Sequence, residues 1–98
     1  MELPELTTLE RLPPQNLEAE QAVLGSMLLE EEAIARSAEL LEEPAFYKGS
    51  HRKIFATLLA LYKAGSPVDL VTLTDELKKR NLLEEIGGAS YLATLTSV

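Results

Sequence analysis

A chain of 98 residues is long enough for one domain with a single hydrophobic core, and 46% of its residues are hydrophobic, mainly Leu and Ala. The absence of cysteine excludes disulfides, thiolate nucleophiles and cysteine-ligated zinc, and no run of about 18 apolar residues is present to form a membrane-spanning helix. A net charge of −7 disfavours direct DNA binding, because a domain that binds DNA by itself usually presents a basic face.

Three of the five prolines fall within residues 1–15, which have no sustained apolar period. Each proline fixes φ, lacks an N–H donor and biases the preceding residue away from the helical region. We therefore predict an extended or flexible N-terminal arm over residues 1–15, whose leucines either dock on a neighbouring surface or stay unstructured. The first five residues include two glutamates and no basic residue, whereas a signal peptide begins with basic residues, and this favours a cytoplasmic protein.

A first helix is predicted to begin after Asn16, which is a good N-cap residue. Glu18 and Glu20 stand in its first turn, where carboxylates oppose the helix dipole. Gly25 interrupts the apolar stripe of this helix, and glycine inside a helix costs about 1 kcal/mol relative to alanine. We expect another helix backbone to approach closely at Gly25; a bend in the helix is the alternative.

A second, shorter helix is indicated by side chains that recur at helical spacing from Ile34 to Leu41, and Pro44 is expected to stop it. Phe46 and Tyr47 follow in a short connection. Two aromatic residues at such a position usually cover a small core, and less often they form a contact patch.

The third helix has an apolar face at helical spacing, with Ser50 as a suitable cap and Gly65 as a left-handed terminator ahead of Pro67. The residues of that face are Ile54, Phe55, Leu58, Leu61 and Tyr62. Thr72 and Asp75 then show the spacing of a capping box before a fourth helix.

The last helix is predicted to run from about Ala89, after a turn at Gly87 and Gly88, with Leu92 and Leu95 facing inward. Its pattern reaches Val98 without a cap, so we expect the chain to be part of a longer protein. Since no segment alternates as a strand does, the sequence predicts an all-α fold, a compact bundle of five to six short helices.

The residue types needed for catalysis do not occur in a catalytic pattern. No glycine run leads into the Lys-Ser/Thr pair of a phosphate-binding loop, so ATP hydrolysis by this chain is not expected. His51, the single histidine, has no second metal ligand or nucleophile near it in sequence, and we interpret it as a partly exposed residue in the first turn of the third helix. Acidic residues number sixteen, and we interpret their runs at residues 30–32, 42–43 and 84–85 as solvated charge near helix ends. We predict no catalytic, cofactor-binding or metal-binding residue.

Two basic clusters, residues 48–53 and 78–80, are interpreted first as surface charge, then as a protein interface, and last as a nucleic-acid contact. A helix-turn-helix DNA-binding regulator is one alternative, because two helices follow each other near the end of the chain. A recognition helix should carry Arg, Lys, Asn or Gln, however, and the last helix has none.

Three segments resemble bacterial replicative DNA helicases of the DnaB type in order and spacing. They are residues 12–25 (LPPQNLEAEQAVLG), 67–77 (PVDLVTLTDEL) and 87–95 (GGASYLATL). The resemblance implies that residues 16–98 form the globular helical head of the helicase N-terminal domain. In that family a helical hairpin and a P-loop ATPase domain follow the head, and this chain includes neither. A helicase-binding domain of the primase type, which has a similar fold, is the nearer alternative.

For the parent protein the resemblance implies a hexameric ring that unwinds DNA with ATP and Mg²⁺ held in its ATPase domain. For this fragment it implies a collar of N-terminal domains, arranged as a trimer of dimers, that docks DNA primase. The implied partners are therefore other subunits of the helicase and DNA primase, with a helicase loader as a further candidate. No cofactor, no enzymatic activity, no strong DNA binding and no membrane contact are expected of the fragment itself.

Overall fold

The computed structural model describes residues 16–97, which form five α-helices and one short 3-10 helix. In chain order these are α1 (Leu17–Leu29), α2 (Glu31–Leu40), the 3-10 helix (Glu43–Ala45), α3 (Gly49–Lys63), α4 (Leu70–Lys79) and α5 (Gly88–Leu95). The predicted all-α bundle of short helices is confirmed, and no strand occurs within the described residues. The predicted arm, residues 1–15, lies outside them. None of the described helices is long and apolar enough to cross a membrane.

One of the three predicted helix caps is confirmed and two are wrong. The Asn16 side chain accepts a hydrogen bond from the Ala19 N–H at 3.3 Å, as expected of an N-cap. At α4 the cap is Asp69, whose carboxylate accepts from the Thr72 N–H at 2.7 Å, because the helix begins at Leu70. Ser50 does not cap α3, since that helix already begins at Gly49.

The core lies around α3, whose buried face packs against α1, α4 and the 3-10 helix. Its fully buried members include Leu24, Ile54, Phe55, Leu58, Leu73, Leu77, Leu92 and Leu95. Full burial of a side chain of this size contributes about 1.5–3 kcal/mol. Phe46 closes the core with its ring 4.9 Å from that of Phe55, whereas Tyr47 remains 56% exposed. Phe46 therefore covers the core as expected, and Tyr47 does not.

At Gly25 the backbones of α1 and α5 approach each other closely. A Cβ built at this position would overlap the carbonyl oxygen of Leu95, the last residue of α5. The predicted close crossing is therefore confirmed, and glycine is required because any side chain would push α5 away from α1. The turn before α5 is also confirmed, with positive φ angles of 112° at Gly87 and 79° at Gly88.

Candidate functional site

Three polar side chains from different helices meet inside the helix bundle: Glu20, His51 and Tyr91. His51 on α3 is fully buried, so its predicted partial exposure is wrong. Its Nδ1 lies 2.6 Å from Oε1 of Glu20 on α1, and its Nε2 lies 2.5 Å from the hydroxyl of Tyr91 on α5. We call these three residues the Glu20–His51–Tyr91 network.

Glu20 is the centre of this network. The sequence places it in the first turn of α1, where a carboxylate opposes the helix dipole, and the structure shows that its side chain is fully buried. Oε2 accepts from the backbone N–H of Tyr47 at 2.7 Å, and Oε1 accepts from that of Lys48 at 3.4 Å. The carboxylate therefore holds the segment that leads into α3 as well as the imidazole. A buried carboxylate is tolerated only with such a set of donors.

The helical period already contained a signal for this cluster. Glu20 lies four residues before Leu24 and therefore on the inward stripe of α1, and His51 stands at the same spacing from Phe55 on α3. At both positions the residue type predicts exposure, whereas the position on the helix predicts burial. The partners are separated by 31 and 40 residues, however, so no local pattern could identify which side chains would meet.

The tautomer of His51 decides which of its ring nitrogens donates. Opposite an ionised Glu20 carboxylate, which only accepts hydrogen bonds, Nδ1 is the donor. With a neutral ring, Nε2 then accepts from the Tyr91 hydroxyl, whose oxygen accepts from the side-chain amide of Gln21 at 3.2 Å. The Lys48 ammonium lies 5.1 Å from the centre of the Tyr91 ring, within range of a cation–π contact.

An acid, an imidazole and a hydroxyl in series are also the parts of a nucleophilic catalyst. Here the side chains of Glu20 and His51 have no solvent-accessible surface, and the Tyr91 hydroxyl is held by both His51 and Gln21. A substrate could not reach the base without disrupting the helix packing. Residues 16–97 also contain no group of three or more acidic or histidine side chains placed to hold a metal ion. The network therefore joins α1, α3 and α5 and does not form an accessible reaction centre.

The basic residues of the two clusters are largely engaged within the chain. Arg52 donates to the carbonyl of Phe46 at 2.7 Å, and Lys53 pairs with Glu85. In the second cluster Lys79 pairs with Asp75 at 3.4 Å and Arg80 with Glu76 at 2.9 Å. Exposed pairs of this kind contribute only about 0–1 kcal/mol each. Their geometry agrees with the interpretation as surface charge.

The accessible surface offers apolar side chains instead. Five large hydrophobic residues of the described range are exposed: Leu29, Leu40, Tyr47, Tyr62 and Val71. Single exposed apolar residues are normal on a protein surface, but Leu29 and Tyr62 line the same open groove at one end of α1 and α3. Val71 lines a second, smaller depression between α4 and α5. Such features suit contacts with other proteins.

Known proteins resemble this chain along most of its length. The family model described as DnaB-like helicase N terminal domain matches residues 12–98. The replicative DNA helicase DnaC of Bacillus subtilis (strain 168) is 51% identical over 88 residues, which are 90% of this chain and 19% of that protein. The replicative DNA helicase DnaB of Geobacillus stearothermophilus is 51% identical over 86 residues, with 88% and 19% covered. The chain thus spans about a fifth of the length of these relatives.

The fold comparison agrees with the sequence comparison. The crystal structure of the N-terminal domain of DnaB helicase from Mycobacterium tuberculosis matches with a TM-score of 0.83 and 50% sequence identity. This match covers 87% of the present chain and 62% of the other.

Proposed function

The chain belongs to the family of DnaB-like helicase N-terminal domains, and on this premise we propose that it is a non-catalytic assembly and protein-docking domain of a hexameric replicative helicase. The resemblance predicted from three sequence segments is confirmed by the family match over residues 12–98. That match, together with the TM-score of 0.83 to a solved domain of the same family, is the observation that carries the proposal.

The geometry of the described residues supports a docking role over a catalytic one. Within residues 16–97, the Glu20–His51–Tyr91 network has catalytic residue types, but the side chains of its acid and its base have no solvent-accessible surface, and the network joins three helices. Four of the five exposed large apolar side chains of residues 16–97 lie on helices, and apolar side chains of this kind are common in protein interfaces. Contact with DNA would then be made by other parts of the parent, because a chain of net charge −7 repels a polyanion.

The proposal includes a particular setting for the domain. Six copies would form a collar on a cytoplasmic ring, as a trimer of dimers, and the collar would receive DNA primase, with a helicase loader as a second candidate partner. The ring would unwind duplex DNA with ATP and Mg²⁺ bound in a P-loop domain outside this chain. Support comes from the bacterial relatives, which are named replicative DNA helicases and extend far beyond the matched segment.

A deletion experiment on the full-length parent tests the docking role. The helicase-binding domain of primase is titrated into the intact ring and into a ring that lacks residues 1–98, by isothermal titration calorimetry. We expect binding to the intact ring only, while ATP hydrolysis persists in both because the domain holds no catalytic group. Equal binding to both rings, or no binding to the intact ring, would refute the docking role.

A further inference from the structure

One apolar groove on the surface is built from four separate parts of the chain. Its floor is formed by Leu28 and Ile34, which are largely buried, and its walls by Leu29, Tyr62 and Val68. The groove is open to solvent and has a volume of about 410 Å³. We call it the Leu29–Tyr62 groove. It brings together the end of α1, the start of α2, the end of α3 and the loop before α4.

The packing of residues 16–97 leaves two of these wall residues exposed to solvent. Leu29 is 64% exposed and Tyr62 is 40% exposed, although both helices otherwise direct their large apolar side chains into the core. Tyr62 was even expected on the buried face of α3 from its helical spacing. Exposed apolar side chains that share one concavity mark a contact site, because covering them removes apolar surface from water.

The charge around the groove is negative. Glu31 lines it, and the residues next to the lining in sequence include the acidic Glu30, Glu32 and Asp69 against the single basic Lys63. The α2 N-terminus lies at the same place and carries a partial charge of only about +0.5, too little to cancel the three uncompensated carboxylates. A segment with Lys or Arg beside its apolar residues would therefore be attracted, whereas nucleic acid or a second copy of this acidic chain would be repelled.

The backbone of the groove restricts the shape of the occupant. Residues 16–97 contain no sheet edge that could pair with an extended strand. A helix satisfies its own backbone hydrogen bonds and can insert apolar side chains from successive turns into a groove. The occupant that fits is a short amphipathic helix with basic flanks.

We propose that the Leu29–Tyr62 groove binds an amphipathic helix of a partner protein, with large aliphatic side chains on its apolar face and Lys or Arg on either side of that face. This inference rests on the docking function proposed above and specifies the place and chemistry of one docking contact. The partner is a protein other than a copy of this domain.

The test uses two synthetic peptides of about 15 residues that share one leucine face at helical spacing. The first carries Lys at its flanking positions and the second carries Glu at the same positions. Each is titrated into the ¹⁵N-labelled 98-residue chain and followed by NMR. We expect saturable binding of the Lys peptide, with shift changes centred on the groove, and binding of the Glu peptide that is weaker by about tenfold or more.

Two pairs of matched variants separate the groove from the rest of the acidic surface. The substitution L29A should weaken binding of the Lys peptide by about tenfold, and L40A, which truncates an equally exposed leucine, should not. The double variant E31Q/E32Q should weaken binding and reduce its salt dependence. The double variant E42Q/E43Q removes the same charge elsewhere and should leave both unchanged.

Equal binding of the two peptides, shift changes centred on Val71, equal losses in the matched variants, or no saturable binding would each overturn the proposal. The groove and the docking function can fail separately. If the Lys peptide binds as expected but the ring does not bind the primase domain, the docking function with primase fails alone. If the ring binds that domain and L29A has no effect on either ligand, the groove proposal fails alone.

Discussion

Replacing Glu20 by leucine tests whether the buried network holds the fold together. The substitution removes the acceptors of two short hydrogen bonds, from the Tyr47 N–H at 2.7 Å and from the His51 Nδ1 at 2.6 Å. A buried donor left without a partner costs about 1–3 kcal/mol, so two of them cost about 2–6 kcal/mol. Burial of the new leucine returns about 1.5–3 kcal/mol. From the midpoints of these two ranges we expect a net loss of about 2 kcal/mol in the free energy of unfolding, and at most about 4.5 kcal/mol.

Urea and thermal unfolding, followed by far-UV circular dichroism, measure this loss. For a domain of this size, each kcal/mol lowers the melting temperature by about 4–8 °C. The control is E18L, which makes the same chemical change at an exposed position of the same helical turn and should stay within about 0.5 kcal/mol of the parent. If E20L and E18L unfold at the same urea concentration, Glu20 does not support the fold as argued.

A double-mutant cycle with His51 extends the test to the coupling between the two side chains. H51L leaves the buried Glu20 carboxylate without its side-chain donor, whereas E20L/H51L removes both polar partners at once. Replacing both partners by apolar groups costs less than the two single changes suggest. We expect a coupling energy of about 0.5–3 kcal/mol, and strict additivity would contradict a coupled pair.

Two further predictions concern the helix crossing and the α4 cap. G25A should lower the free energy of unfolding by about 1–3 kcal/mol despite the better helix propensity of alanine, because its Cβ meets the Leu95 carbonyl. The control is G49A, which should not destabilise the domain because a Cβ at that position meets no other atom. Urea unfolding of the two variants and the parent measures the difference. D69A should cost about 0.5–2 kcal/mol. Hydrogen bonds from the Thr72 N–H, and then from the Thr72 side chain, hold the pKa of Asp69 below its ordinary 3.8. The stability that the ionised Asp69 contributes is therefore complete above pH 3.8 and is lost as the pH falls through the lowered pKa. Acid titrations of stability should show that loss in the parent and not in D69N.

The apolar period of the sequence was sufficient to predict the class of the fold. Leucines at helical spacing identified the inward faces of α1, α3 and α5, and Gly25 revealed a close crossing because glycine inside a helix needs a compensating reason. The cap of α4 was placed at Thr72 because its spacing to Asp75 imitates a capping box. Asp69 caps the helix instead, because α4 begins at Leu70 and Asp69, in an extended conformation just before it, accepts from the Thr72 N–H.

The buried network and the Leu29–Tyr62 groove could not be predicted in the same way. Glu20 and His51 stand on apolar stripes, but a charged side chain on such a stripe says nothing about its partner until the helices are packed. The groove depends on contacts between the ends of three helices and one loop, which are distant in sequence. Composition and the missing phosphate-binding pattern could exclude function classes, whereas the place of a protein contact required the tertiary structure.

Hydrogen–deuterium exchange on the full-length ring, with and without the helicase-binding domain of primase, tests the proposed docking role most directly. We expect slower exchange on binding within residues 16–97, including amides around Leu29 and Tyr62, and unchanged exchange in the ATPase domain. Slower exchange confined to regions outside this chain would contradict the conclusion that the domain is a docking platform.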